Sequence, residues 1–128
     1  MARKKSVNLT EAELRLMDVI WDKDFATVAD VVDSLPKDVG LAYNTVLTTL
    51  RILEDKGYLR HEKPVDGRAF VYQAVVDREE ASRSAVRYLM SRFFRNSPEL
   101  LVQNLLDDED LSEKELGRIR KLLAQEER

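Results

Sequence analysis

The chain has 128 residues, of which 44% are hydrophobic and 35% are charged, and its formal net charge is −3. This length allows one ordinary domain or a small domain with an appendage, and the composition is typical of a soluble, helix-rich protein. The chain has no cysteine, which excludes disulfides, thiolate metal sites and thiol redox sensing. No apolar run approaches the roughly 20 residues that span a bilayer, so we expect a cytoplasmic protein without membrane insertion.

Two capping boxes mark the starts of the first two predicted helices. Thr10 with Glu13, and Thr27 with Asp30, have the spacing at which two side chains satisfy each other's free backbone amides. Pro36 ends the second helix. Glu13 is expected to stay in water, because the apolar stripe expected to face the core of the first helix consists of Leu14, Met17, Ile20 and Trp21.

The third predicted helix, from about residue 42 to 56, has an unusual polar face. Gly57 is placed to end it in the left-handed conformation. The face opposite its apolar side presents Asn44, Thr48, Arg51 and Asp55, flanked by Leu47 and Ile52. Such a face is typical of a solvated amphipathic helix. A third helix that follows a tight turn and precedes a hairpin is also the element that helix-turn-helix folds insert into the major groove.

The residues of this third helix suit contacts to double-stranded DNA. The guanidinium of Arg51 matches the two acceptors of guanine, Asn44 can pair with adenine, and Leu47 can touch a thymine methyl group. The remaining candidates for phosphate or base contacts are Tyr43, Thr45 and Thr48. Residues 1–75 contain 11 Lys and Arg against 12 Asp and Glu. Any attraction to DNA must therefore come from the local placement of charge.

Two β-rich segments, residues 58–63 and 68–74, predict a hairpin with an Asp-Gly turn. Lys63 and Arg68 flank its tip, where they can reach the DNA backbone or minor groove, although charged tips are common in other proteins. His61, the single histidine, lacks the clustered ligands that a metal site needs. The order of three helices and a hairpin predicts a winged helix-turn-helix domain over residues 1–75.

Residues 76–128 read as helices alone, with start signals at Asp77, Ser97 and Ser112. About fifty residues rarely form a stable core by themselves, so we expect a second copy of the chain to complete it. The fold class is therefore mainly α with a small β-hairpin, and the C-terminal part is an all-helical dimerisation domain. The residues expected to pair are Val86, Leu89, Met90, Phe93, Phe94, Leu101, Leu105, Leu116, Ile119, Leu122 and Leu123.

These features favour a homodimeric DNA-binding regulator over an enzyme. The chain has no glycine-rich phosphate loop, no Gly-x-Ser-x-Gly elbow and no His-Glu-x-x-His motif, and no cofactor is expected. Two alternatives stay open. One is a winged-helix regulator that senses a small apolar ligand, and the other is a winged-helix module that binds another protein.

Several segments together resemble the penicillinase and methicillin-resistance repressor family of the BlaI/MecI type. They are residues 9–14, 20–21, 43–50, 56–59, 67–72 and 104–112. The resemblance implies a winged helix, a C-terminal dimerisation domain and repression from palindromic operators. The residues Leu47 and Ile52 stand where some members carry Arg, which implies a different operator sequence.

The resemblance also implies one mode of control. In antibiotic-responsive members, a sensor-protease signal leads to cleavage between an Asn and a Phe in the dimerisation region. The matching pair here is Asn104-Leu105, which departs from that pattern at its second residue. Derepression by proteolysis is therefore an open alternative. Family members that sense copper use a Cys-rich tail, which this chain lacks.

Overall fold

The computed structural model describes residues 9–64 and 69–126, which form helices and one small antiparallel sheet. This confirms the predicted fold class. The elements are α1 (Glu11–Lys23), β1 (Phe25–Ala26), α2 (Val28–Ser34), a 3₁₀ turn (Lys37–Val39), α3 (Tyr43–Asp55), β2 (Leu59–Glu62), β3 (Val71–Ala74), α4 (Arg78–Phe93), α5 (Pro98–Leu106) and α6 (Glu113–Glu126).

The local signals place the helix ends correctly. In α1 the Thr10 amide donates to the Glu13 carboxylate over 2.8 Å, and the Glu13 amide donates to the Thr10 hydroxyl over 3.1 Å. The equivalent box at Thr27 and Asp30 is also formed. Gly57 follows α3 with a φ of 91°, a conformation that glycine adopts without strain.

The sheet has three strands, so the prediction of a two-stranded hairpin was incomplete. Its order is β1-β3-β2, with Phe25 opposite Gln73 on one side of β3 and Leu59 opposite Ala74 on the other. A strand of two residues is too short to show any alternation of polar and apolar side chains. The predicted Asp-Gly turn and Arg68 lie outside the described residues.

The core lies between α1, α2, α3 and the inner face of the sheet. Its fully buried residues include Leu16, Met17, Ile20, Val31, Val46, Leu50, Leu53, Tyr72 and Val76. Two expectations for α1 were wrong. Leu14 is 39% exposed, whereas Glu13 is only 5% exposed, because α1 turns Glu13 towards α3 and uses Leu16 in the core.

The chain forms two compact units, Met1–Ala85 and Val86–Arg128. The predicted boundary between the two domains, at residue 75, lies ten residues before the boundary between these units. The predicted division into a DNA-binding domain and a dimerisation domain stays a prediction. In the second unit, none of the described residues from 86 to 126 is buried. Its apolar side chains therefore form no closed core within a single chain. Within the described residues, no helix is both long and apolar enough to cross a membrane.

Candidate nucleic-acid interface

Helix α3 has one buried face and one exposed face. Val46, Leu50 and Leu53 are fully buried and hold the helix against the core. The other side is open to solvent and carries the residues singled out in the sequence. Tyr43, Asn44, Thr45, Thr48 and Arg51 are exposed, while Leu47 is half-buried against the core.

The start of α3 is suited to an anion. Its N-cap is Ala42, whose side chain cannot accept a hydrogen bond, and its first turn contains no acidic residue. The first amides of a helix have no partner within the helix and carry the positive end of its dipole. Tyr43 and Asn44 lie beside these amides. A phosphate placed here would meet backbone donors and two polar side chains.

Arg51 interacts with a residue of the sheet, which sequence reasoning did not foresee. Burial raises the pKa of the Tyr72 hydroxyl, the negative charge of Glu54 raises it further, and the charge and hydrogen bond of Arg51 act against both. Tyr72 lies in β3 and is 1% exposed. The Arg51 side chain thus lies near Tyr72, where α3 meets the sheet. Because a guanidinium has five N–H donors, others can still reach a ligand.

A second link joins α3 to the strands. The Nδ1 atom of His61 in β2 lies 2.8 Å from each carboxylate oxygen of Glu54. The His61 ring also lies beside Phe70 and Tyr72, with centroid separations of 4.6 and 5.7 Å. The carboxylate of Glu54, in the last turn of α3, is therefore paired with the strand residue His61. Among the described residues, no cluster of three or more His, Cys, Asp or Glu could hold a metal.

Of the two cations predicted to contact DNA from the wing, the structure describes Lys63. Lys63 is exposed and directly follows β2. Within β2, Arg60 pairs with Glu62 over 2.8 Å and donates to the Gln73 side chain over 2.6 Å. Arg68, the other predicted wing contact, lies outside the described residues. The structure therefore brings α3 and β2 together on the first unit but leaves the wing tip undescribed.

All of the residues predicted to pair belong to the second unit. Val86, Leu89, Phe93, Leu105, Leu122 and Leu123 are exposed, while Met90, Phe94, Leu101, Leu116 and Ile119 are half-buried. Phe93 and Leu122 are the most open, at 73% and 62%. Asn104 and Leu105 are both exposed near the end of α5, so the peptide bond predicted as a possible cleavage position lies in a helix.

Comparison with known proteins identifies the family of this chain. The family model described as "Penicillinase repressor" matches residues 9–125. The chain belongs to the penicillinase repressor family. This confirms the family indicated by the sequence resemblance, and the match includes both compact units.

Two members of the penicillinase repressor family can be aligned with almost the full length of this chain. The penicillinase repressor of Bacillus licheniformis is 30% identical over 122 residues, covering 95% of this chain and 94% of the relative. The methicillin resistance regulatory protein MecI of Staphylococcus aureus strain N315 is 24% identical over 119 residues, covering 93% and 95%.

A solved DNA-binding domain also resembles part of this chain. The solution structure of the DNA-binding domain of the repressor BlaI is 35% identical, with a TM-score of 0.51. The match covers 60% of this chain and 92% of that domain.

Proposed function

We propose that this protein is a sequence-specific transcriptional repressor that binds palindromic DNA operators as a homodimer. Its family consists of repressors, and 60% of the chain matches the DNA-binding domain of the repressor BlaI, so the protein is a DNA-binding transcriptional repressor. Dimer formation and recognition of a palindromic operator go beyond this family relationship and form the proposal. The exposed polar face of α3, carried on a winged-helix core, is the observation on which it rests.

The proposed reading mode follows from the chemistry of that face. With α3 in the major groove, Arg51 can donate two hydrogen bonds to guanine and Asn44 can pair with adenine. Thr45 and Thr48 are short enough to reach phosphate or base edges, and Tyr43 beside the free amides of α3 suits a phosphate. Lys63 on the wing would then neutralise charge on the flanking backbone.

The proposed pairing follows from the lack of buried residues in the second unit. A single copy leaves Phe93, Leu105 and Leu122 open to water, and a second copy would remove that apolar surface from solvent. Two linked reading helices bind a palindrome far more tightly than one, because the first contact raises the effective concentration of the second. A dimer on the operator would block transcription of the adjacent gene.

The proposal also indicates where the repressor could be inactivated. Cleavage at Asn104-Leu105 would separate the whole of α6 from the winged helix and thereby reduce pairing. This bond lies inside α5, so a protease could bind it only after local unfolding of that helix. Control by a sensor protease is therefore proposed as one route to derepression, in a protein that acts in the cytoplasm.

Selection of bound duplexes from a random library tests the proposal directly. We expect the full-length chain to enrich one inverted repeat, with two chains per duplex by light scattering. Binding should weaken steeply with salt, because phosphate contacts release counterions. Failure to enrich any sequence, with a monomeric chain, would favour the protein-interaction module. Enrichment that appears only with an added small apolar ligand would favour the ligand sensor.

A further inference from the structure

The segment that connects the winged helix to α4 is held on both sides. The backbone amides of Val75 and Val76 both lie within hydrogen-bond distance of the Tyr58 carbonyl, at 2.8 and 3.5 Å. On the other side, the indole Nε1 of Trp21 in α1 donates to the Val76 carbonyl over 2.9 Å. Val76 itself is buried. The chain is therefore fixed to α1 and to the end of the sheet just before α4 begins.

The first residue of α4 makes a second set of contacts to α1. The guanidinium carbon of Arg78 lies 5.2 Å from the centre of the Trp21 ring, a cation–π arrangement. One of its nitrogens lies 3.4 Å from Asp18 and 3.3 Å from Asp22. Asp18 and Asp22 are one turn apart on the same face of α1. We call Trp21, Val76, Arg78 and these two aspartates the α1–α4 clamp.

The parts of the clamp have different strengths. The ion pairs of Arg78 are exposed on both sides, so each contributes little to stability. The bond from Trp21 matters more, because without it the carbonyl of a buried residue would lose its protein partner. The guanidinium and ring contacts restrict the direction of the first turn of α4. The clamp as a whole therefore orients the helix more than it stabilises the fold.

The clamp matters because α4 is continuous beyond it. From Arg78 to Phe93 the helix is unbroken and contains neither glycine nor proline. A helix that starts from a fixed point transmits its direction, whereas a flexible linker would not. In a dimer that pairs beyond residue 85, the start of α4 would then constrain where each reading helix lies.

We infer that the α1–α4 clamp is a specificity determinant that sets which separation of operator half-sites the dimer accepts. Its residues act without touching DNA, by limiting the directions from which the second winged helix can approach. The strength of the second contact depends on geometry, so a rigid connection favours one separation and a loose connection tolerates several. This inference rests on the proposed homodimer and operator, and it adds a positioning role for Trp21 and Arg78.

The experiment measures affinity for a set of palindromes whose two half-sites are moved apart one base pair at a time. The full-length wild type, Trp21→Phe and Arg78→Gln are each titrated against the set and against a duplex with one half-site. Trp21→Phe keeps an aromatic ring but removes the N–H donor. The matched control is Arg83→Gln, which removes the same charge from α4 but breaks only the Glu79 pair within that helix.

We expect the preference for the best spacing over its neighbours to fall about fivefold in Trp21→Phe, which is the scale of the net free energy of one hydrogen bond, here the part-buried bond from the indole to the Val76 carbonyl. Arg78→Gln should show a smaller fall, and Arg83→Gln should match the wild type. Affinity for the single half-site should be unchanged in all three variants. This last measurement separates positioning from structure, because damage to the winged helix would weaken half-site binding as well.

Two results would overturn the inference while leaving the proposed function intact. One is a spacing preference that stays as sharp in Trp21→Phe and Arg78→Gln as in the wild type. The other is an equal loss on the palindrome and on the single half-site. A different result would reject the proposed function itself, and the inference with it. That result is a wild type that binds no duplex, or binds one half-site as tightly as two.

Discussion

The Nζ atom of Lys56 lies 2.8 Å from Oε1 of Glu13, and this ion pair joins the end of α3 to the start of α1. The same carboxylate oxygen accepts the Thr10 amide of the capping box. One buried acidic group therefore serves both the first turn of α1 and the last turn of the candidate reading helix. Disturbing it should loosen the core beneath the interface.

Replacing Lys56 should destabilise the protein. In Lys56→Met the Glu13 carboxylate stays buried and loses its ion pair but keeps the hydrogen bond from the Thr10 amide, and we expect a loss of about 2 kcal/mol in the free energy of unfolding. The free energy of unfolding is measured by urea denaturation, with the fluorescence of Trp21, the single tryptophan, as the signal. Lys37→Met removes an exposed lysine and serves as the control. Equal stability of the two variants would contradict the structural role given to Lys56.

The same pair predicts how stability depends on pH. Burial raises the pKa of Glu13, but the Lys56 hydrogen bond and charge and the Thr10 bonds outweigh it, so the pKa lies below its usual value of 4.5. A group whose pKa is lowered in the folded state stabilises the protein above the unfolded value. That contribution is lost as the pH falls from 4.5 through the lower folded value.

Comparison with Glu13→Gln isolates this effect. Between pH values of about 5 and 3, the free energy of unfolding should fall more steeply in the wild type than in the variant. Parallel curves would show that Glu13 titrates alike in the folded and unfolded chains. The other carboxylates, which both proteins share, cancel in the difference.

Loss of Arg51 should change sequence preference as well as affinity. We expect Arg51→Ala to weaken binding to the selected operator by about 1–3 kcal/mol, as for a lost bidentate base contact. Arg60→Ala, which removes an equal charge from β2, is the matched control and should keep the wild-type preference. Repeating the duplex selection with each variant measures both properties. An unchanged preferred sequence in Arg51→Ala would remove this residue from base reading.

A charge on the exposed face of α6 should prevent pairing. Leu122 is largely exposed in the single chain, so Leu122→Asp leaves the first unit intact but places a carboxylate in the proposed interface. We expect a monomer by light scattering, with operator affinity reduced by at least about tenfold and half-site affinity retained. Ala124→Asp adds the same charge away from Leu122 on the helix and should remain dimeric. A dimeric Leu122→Asp would place the interface elsewhere.

Short-range sequence signals determine much of the secondary structure of this protein. The capping boxes at Thr10 and Thr27, the glycine after α3 and the polar face around Arg51 all depend on residues within a few positions of one another. Interactions at such spacings hold whenever the helix forms, so the element order and the exposed face of α3 could be predicted. The fold class and the family followed from them.

Only the tertiary structure decided the contacts between distant segments. Glu13 meets Lys56 across 43 positions and Trp21 meets Val76 across 55. Such pairs have no periodicity, because their partners are chosen by how whole elements pack and which polar groups that packing buries. For the same reason, local pattern could not predict the rotation of α1 that buries Leu16 in preference to Leu14, the two-residue strand β1 or the proximity of Arg51 to Tyr72.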